Sequence, residues 1–215
     1  MESVDRAVPT TDQPINGATL LHETRYLTSW VTPDNIEIKH LYKELTNNNG
    51  KSQKSKVEAC WAYVARQLRY KPFLSTKVQV DGKTFIQNDA WLDPAEVVRV
   101  GIANCMNRSI LLTSLLRQEL PQDKVYVVLG NIKDDGHAWV VVRLDNDYIL
   151  ETTSPNIKSC FIEASKADIY SPVMLFNDAV VRYFPGRSVH EPFSNLFCVS
   201  WLDQYLNSRC CDAFV

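Results

Sequence analysis

The sequence lacks any apolar run long enough to cross a membrane. Its longest apolar stretches, such as residues 125–129, have the length of a strand, whereas a transmembrane helix needs about 20 residues. The N-terminus has neither the basic nor the apolar region of a secretory signal, so nothing in it predicts export. Neither sign of charge dominates: the net charge of −2 gives no electrostatic reason to expect a nucleic-acid partner.

The six cysteines include no Cys-x-x-Cys pair and show no regular spacing. A chain of 215 residues with 45% hydrophobic residues can form its core without disulfides, so we expect reduced thiols and a cytoplasmic protein. The cysteines and histidines are too scattered for metal-ligand spacing. The Gly-Lys-Ser sequence at 50–52 has no upstream glycine and follows no predicted strand, which excludes a phosphate loop. The sequence therefore predicts neither a metal nor another cofactor, and it leaves the oligomeric state undecided.

The order of the predicted elements indicates the fold class. Residues 1–18 are polar and aperiodic, which predicts a flexible tail, and the length favours one domain over 19–215. Helical periodicity dominates the first half and strand-like alternation the second, as in an α+β fold. The predicted elements are helices at about 34–45, 55–69 (ended by Pro72), 94–100, 105–118 and 200–207, a hairpin at 77–80 and 84–87, and strands at 125–129, 137–144, 148–152, 173–176 and 179–184.

Two of these helices begin with clear capping chemistry. Asp93 precedes a proline at the first helical position, and Gly101 is suited to end that helix. Asn104 is placed to cap the next helix, whose first turn contains Cys105. Backbone amides and the helix dipole at such a position favour a thiolate, which is the nucleophilic form of cysteine. Cys105 therefore differs from a cysteine packed within an apolar helix.

An imidazole and a carboxylate follow on neighbouring predicted strands. His137 opens one strand and Glu151 closes the next, so Cys105, His137 and Glu151 form the set that an activated cysteine nucleophile needs. In this set His137 is the base and Glu151 orients it. The register of the two strands cannot be read from the sequence, so Asp147 and Thr153 remain alternative neighbours of His137.

Motifs around these residues match those of a known family. They are the helix 61–70, Trp91-x-x-Pro94-x-Glu96, Gly101-x-x-Asn104-Cys105, the leucine-rich helix to Arg117, residues 125–130, His137-Ala-Trp139 and residues 148–155. On these motifs the chain resembles the transglutaminase-like superfamily of cysteine hydrolases and acyltransferases over about residues 55–155. The resemblance implies a papain-like α+β core, in which the nucleophile helix packs on an antiparallel sheet. It also implies the roles of nucleophile, base and orienting acid for Cys105, His137 and Glu151.

The resemblance further implies that Trp91 lines the acyl site. Asn104 and Trp139 are the other candidate residues of the oxyanion and substrate site. Packing of the capped helix onto the core is the alternative role for Trp91. Two departures from the family pattern stand out: Asn104 and Glu151 occupy positions where aspartate is usual. No acidic residue directly follows Cys105, so the calcium site of several bacterial relatives is not carried over to this chain.

Three functions are compatible with these residues. The first is hydrolysis of a peptide or other amide bond through a thioester acyl-enzyme. The second is amide-forming acyl transfer from a peptide, small amide or thioester to an amine, which a water-poor channel lined by Trp91 and Trp139 would favour. The third is a non-catalytic binding domain, whose natural mark would be a lost nucleophile or base. The sequence retains both groups, and we expect the hydrolase.

Overall fold

The computed structural model describes residues 27–47, 52–74, 76–80, 83–87, 91–133 and 135–183. Within these ranges helices come first and a six-stranded antiparallel sheet follows, which confirms the predicted α+β class. The predicted tail at 1–18 and helix at 200–207 lie outside the described residues. The single domain over 19–215 stays a prediction.

The α-helices begin where polar side chains accept hydrogen bonds from first-turn amides. The caps Asp93 and Asn104 that the sequence indicated are confirmed, and Gly101 ends its helix in the left-handed conformation at φ 67°, which favours glycine. The helices are α1 (Ile36–Thr46) after Asn35, α2 (Gln53–Ala62) after Ser52, α3 (Pro94–Val100) after Asp93, and α4 (Cys105–Leu116) after Asn104.

The end of α2 differs from the prediction. The helix continues as a π-helical turn, Tyr63–Gln67, and stops there, five residues before Pro72. The next residues form a short strand, β1 (Arg69–Tyr70), which pairs in parallel with β4 (Ile102–Ala103), the strand directly before α4. Because this partner is distant in the sequence, a local pattern cannot reveal the pairing. The pairing brings Tyr70 beside the segment that leads to Cys105.

The sheet and the hairpin follow the predicted order. The hairpin strands are β2 (Thr76–Val80) and β3 (Lys83–Gln87), and the sheet strands are β5 (Val125–Ile132), β6 (Asp135–Arg143), β7 (Asp147–Leu150), β8 (Ile162–Glu163), β9 (Tyr170–Phe176) and β10 (Val181–Tyr183). The sheet order is β10-β9-β5-β6-β7-β8, with every neighbouring pair antiparallel. The predicted hairpin is confirmed in its strands, and its turn lies outside the described residues.

Both faces of the sheet are buried. Alternate side chains of a strand point to opposite faces, and they pack in two different core clusters. Val125 packs with the leucines of α4, while Tyr126 and Val128 belong to a second cluster that contains Trp139 and Tyr170. Every residue of α4 from 107 to 116 is buried, which explains its apolar composition. None of the helices in the described ranges combines the length and the apolar character that crossing a bilayer requires.

Gly130 marks an irregularity next to the site. The register of β5 against β9 shifts between Leu129 and Gly130, while the pairing with β6 continues and places Gly130 opposite His137. A Cβ on Gly130 would lie 2.1 Å from the backbone oxygen of Ser171 and 2.8 Å from the Trp139 ring. Only glycine therefore allows β9 and Trp139 to approach this closely.

Candidate active site

The start of α4 presents a half-exposed thiol. Cys105 is the first residue of the helix, and the side chain of Asn104 accepts a hydrogen bond from the Asn107 amide at 2.9 Å. The buried Asn107 side chain in turn accepts a hydrogen bond from the Leu92 amide at 2.9 Å. This second bond ties the segment containing Trp91 to the nucleophile helix.

The imidazole of His137 has partners on two sides. Its Nε2 lies 2.9 Å from Oε2 of Glu151, and the Cys105 side chain is the second group that interacts with the ring, for which Nδ1 is the remaining nitrogen. Burial alone would lower the pKa of His137. The hydrogen bonds and negative charge of Cys105 and Glu151 outweigh burial and raise the pKa to about 9. The ring therefore favours its charged form at neutral pH.

The carboxylate of Glu151 is buried and fully hydrogen-bonded. Oε1 accepts from the Thr153 amide at 2.8 Å and from its hydroxyl at 2.7 Å. Oε2 accepts from the Tyr170 hydroxyl at 3.2 Å, in addition to His137. Burial would raise the pKa of Glu151, but the charge and hydrogen bonds of His137 and Thr153 hold it below its usual value. Glu151 is therefore poised to stay ionised.

The structure also locates the two alternative neighbours of His137. Asp147 pairs with Arg143 at 2.9 Å across the β6–β7 hairpin. Thr153 contacts Glu151 and supports that carboxylate instead of meeting the imidazole. The strand β7 ends at Leu150, so Glu151 lies just after the strand that it was expected to close.

Trp91 is half-buried at the edge of an aromatic cluster. Its ring makes an edge contact with Trp30 at 5.5 Å between centroids and stacks on Phe176 at 6.4 Å. Met106, the residue after Cys105, packs against the same cluster. Trp91 thus joins the segment before α3 to the core.

Trp139 lies fully buried beside the imidazole. Its ring stacks with His137 at 6.3 Å between centroids and meets the edge of Tyr170 at 5.1 Å. An indole in this position supports His137 from within the core. It does not line an open channel, which the sequence had allowed.

Sequence reasoning missed three side chains of this site: Arg108, Tyr70 and the hydroxyl role of Tyr170. Arg108 is only 2% exposed and lies one helical turn after Cys105. Its guanidinium lies 5.0 Å from the centroid of the Tyr70 ring. A signal was available, because Arg108 lies on a predicted core helix two residues before its apolar run begins at Ile110, where a buried charge is unusual. Tyr170 and Phe176 are both buried in the core.

Cys105 differs from the other described cysteines. Cys60 and Cys160 are buried, and burial raises the pKa of Cys60 to about 12 and also raises that of Cys160. Both are packed in the core at 0% exposure. Within the described ranges, no three His, Cys, Asp or Glu side chains are grouped closely enough to hold a metal ion.

Comparison with known proteins identifies a matching family and solved structures with a similar fold. A family model described as a transglutaminase-like domain matches residues 36–168. Legionella pneumophila LapG is similar in structure at 16% identity, over 77% of this chain and 87% of that chain, with a TM-score of 0.52. Its calcium-bound form matches at 16% identity, over 78% and 90% of the two chains, with a TM-score of 0.50. At this identity the likeness shows a shared fold. No curated protein matches the sequence.

Proposed function

The chain belongs to the transglutaminase-like domain family, and from this premise we propose that it is a cysteine hydrolase that cleaves a peptide bond through a thioester. Cys105 is the nucleophile, His137 transfers protons, and Glu151 orients and stabilises the imidazolium. The observation that supports the proposal most strongly is the position of His137, which hydrogen-bonds to Glu151 at 2.9 Å and also interacts with the Cys105 side chain.

Before attack, the Cys105 proton passes to His137. The raised pKa of about 9 for His137 favours this transfer at neutral pH, and the helix start provides partial positive charge for the thiolate. The imidazolium then donates Nε2–H to Glu151 and Nδ1–H towards the sulfur. The site thus holds a thiolate and a proton donor before substrate arrives.

Acylation begins when the thiolate attacks the carbonyl carbon of the scissile amide. The electron pair of the C=O bond moves to oxygen, and the amide of Cys105 at the helix start is placed to stabilise that oxyanion. As the intermediate collapses, the C–N bond breaks and His137 gives its Nδ1 proton to the leaving amine. The products of this stage are a free amine and a thioester on Cys105.

Deacylation uses the neutral imidazole that acylation leaves behind. His137 takes a proton from water while the water oxygen attacks the thioester carbon. Collapse of this second intermediate breaks the C–S bond, releases a carboxylic acid and restores the thiolate–imidazolium pair. Glu151 stays ionised throughout and holds the ring so that Nδ1 faces the sulfur.

Water is preferred over an amine as the acyl acceptor because of where Trp139 lies. An acyltransferase benefits from an apolar channel for the amine acceptor, because such a channel excludes water. Trp139 is one of the two residues that would line this channel. The indole is buried against His137 and Tyr170 instead. We therefore propose a peptide substrate and hydrolysis, with amine transfer as the alternative that the test below detects.

The test is cleavage of a tryptic peptide library by the full chain, in heavy-oxygen water containing propylamine, followed by mass spectrometry. We expect new C-termini that carry the heavy oxygen and that disappear with Cys105→Ser and His137→Ala. If the new C-termini carry propylamine instead of the heavy oxygen, the activity is acyl transfer to an amine and the proposal of hydrolysis is wrong. Absence of both products with a folded wild-type chain would overturn the enzymatic proposal and favour the binding domain.

The proposed function includes a cellular location, the cytoplasm. Cys60, Cys105 and Cys160 form no disulfide among the described residues, as expected for a reducing environment. We propose a cytoplasmic protein on the basis of these thiols. Labelling of all cysteines in protein taken directly from cells would check it, because a disulfide that withstands labelling would contradict the assignment.

A further inference from the structure

Arg108 carries a buried positive charge that takes part in no step of the proposed reaction. Its side chain is 2% exposed, and among the described residues no carboxylate pairs with it at salt-bridge distance. Its Nη1 donates to the carbonyl of Thr152 at 2.6 Å, its Nη2 donates to the carbonyl of Leu68, and its Nε has no hydrogen-bond partner in the described part of the chain. Burying a cation that has no carboxylate partner costs free energy, so a favourable interaction elsewhere must compensate for it.

The contacts of Arg108 connect the parts of the site. Thr152 directly follows Glu151, and Leu68 precedes β1, so one guanidinium joins the nucleophile helix to the segments on both sides of it. The Tyr70 ring covers the guanidinium at 5.0 Å, an arrangement that favours a cation. Tyr70 itself is 39% exposed, at the end of the strand pair that leads into Cys105.

The charges of the site explain why a cation is needed. A thiolate on Cys105, an imidazolium on His137 and a carboxylate on Glu151 sum to −1 when the site is ready to react. A further positive charge makes the group neutral, and within a protein interior this neutrality lowers the cost of separating the charges.

We propose that Arg108 is a positioning residue that also supplies the balancing positive charge for the Cys105–His137–Glu151 group. It acts through the carbonyls of Thr152 and Leu68 and through its field, and it does not touch the substrate. The inference rests on the proposed function, because it needs a charge-separated site.

The groups around Arg108 determine the sign of its effect. On its own helix lies Cys105, on β1 lies Tyr70, and after β7 lies Glu151, to which His137 of β6 is hydrogen-bonded. Burial lowers the pKa of Arg108, while Tyr70 and Glu151 raise it, and a guanidinium remains protonated in proteins. Removing this charge disfavours the thiolate, and it also relieves repulsion of the imidazolium.

The experiment compares the full-length wild type with Arg108→Gln and Arg108→Lys. Two quantities are followed: the pH midpoint of Cys105 alkylation by iodoacetamide, mapped by mass spectrometry, and the pKa of His137 from NMR titration. For Arg108→Gln we expect the alkylation midpoint to rise by about one pH unit, which is about tenfold slower labelling below the midpoint, and the His137 pKa to rise with it. Arg108→Lys keeps the charge, so both quantities stay near the wild-type values while the Tm falls.

The direction of the His137 shift separates charge from mere structure. Loosening of the site would weaken the interactions of His137 with Cys105 and Glu151, and the pKa of His137 would then fall from about 9 towards the ordinary value. A fall, or no change in a folded Arg108→Gln variant, overturns the inference. If Arg108→Lys shifts the alkylation midpoint and the His137 pKa as much as Arg108→Gln does, the charge-balancing role is also overturned. Should the glutamine variant not fold, Arg108→Met, which fills the same space without charge, takes its place with the same expectations.

A matched control lies on the same helix. Arg117 pairs with Asp178 at 2.6 Å and is separated from Cys105 by about 18 Å of helix, which exceeds the screening length of about 10 Å. Arg117→Gln should lower the Tm without moving either quantity, and equal shifts would count against a local effect of Arg108. If wild-type Cys105 is not alkylated faster than an ordinary thiol below pH 8, the proposed function fails and this inference falls with it. If wild type reacts as expected and only the Arg108 variants show no shift, the inference alone fails.

Discussion

At the residue scale, the hydrogen bonds of Glu151 determine what a substitution there would do. Both Thr153 donors point to Oε1, so a glutamine would have to place its carbonyl oxygen at that position. Its NH₂ group would then face Nε2 of His137 and the Tyr170 hydroxyl. An amide donor in this place cannot stabilise an imidazolium, and it favours the ring tautomer that has no proton on Nε2.

Glu151→Gln should therefore lower turnover of a peptide substrate by about 10² to 10⁴-fold, with the fold retained. The measurement is kcat and KM, together with the His137 pKa by NMR, which should fall from about 9. Asp147→Asn is the matched control, because Asp147 pairs with Arg143 in the same hairpin. Equal losses in both variants would contradict the specific role of Glu151.

The residues of the site differ in how far the sequence could predict them. Cys105 and its cap Asn104 follow from local capping chemistry, since all the groups involved lie within four residues. Glu151 was one of three candidate neighbours of His137, because the choice depends on strand register. Arg108 was missed as a site residue, since its carbonyl partners come from segments about 40 positions away.

At the element scale, the irregularity at Gly130 controls how β9 meets β5. Trp139 of β6 packs into the space that the missing side chain leaves, and the same indole stacks with His137. The shape of the sheet at this point therefore places the imidazole. The motif that contains Gly130 was visible in the sequence, but the bulge was not, because it depends on β9.

Gly130→Ala should destabilise the protein by about 1–3 kcal/mol or more, since a methyl group would press on the backbone of Ser171 and on Trp139. Urea unfolding gives the free energy. Gly136→Ala, on the neighbouring strand, is the control, because a Cβ there meets no atom within 4 Å. It should change stability by no more than about 0.5 kcal/mol. Similar losses for the two variants would show that β-strand glycines here matter for a reason other than close approach.

At the scale of the whole molecule, the buried His137–Glu151 pair links folding to pH. The pKa of His137 is raised to about 9, so its contribution to stability is fully present below its unfolded value near 6.5 and disappears as pH rises through 9. The pKa of Glu151 is lowered from 4.5, so its contribution is present above about 4.5 and disappears as pH falls through the folded value.

The free energy of unfolding of wild type relative to His137→Gln should therefore decline between about pH 6.5 and 9. The change should be on the order of 3 kcal/mol, since the pKa of His137 rises from 6.5 to about 9 and a difference of one pH unit corresponds to about 1.4 kcal/mol. Urea titrations at a series of pH values measure it for both chains. A difference that stays constant over this range would show that the ring is not held in its charged form by folding.

The α+β class, the capped start of α4 with its thiol, and the presence of one histidine and several carboxylates on adjacent strands all follow from the amino-acid sequence. These features depend on periodicity and on groups a few residues apart. Three other features depend on how the chain folds: Glu151 meets His137, Trp139 is buried against the imidazole ring, and Arg108 lies against the segments around the site. Each of these depends on strand register or on packing between distant segments, where a shift of one residue turns a side chain to the other face of the sheet.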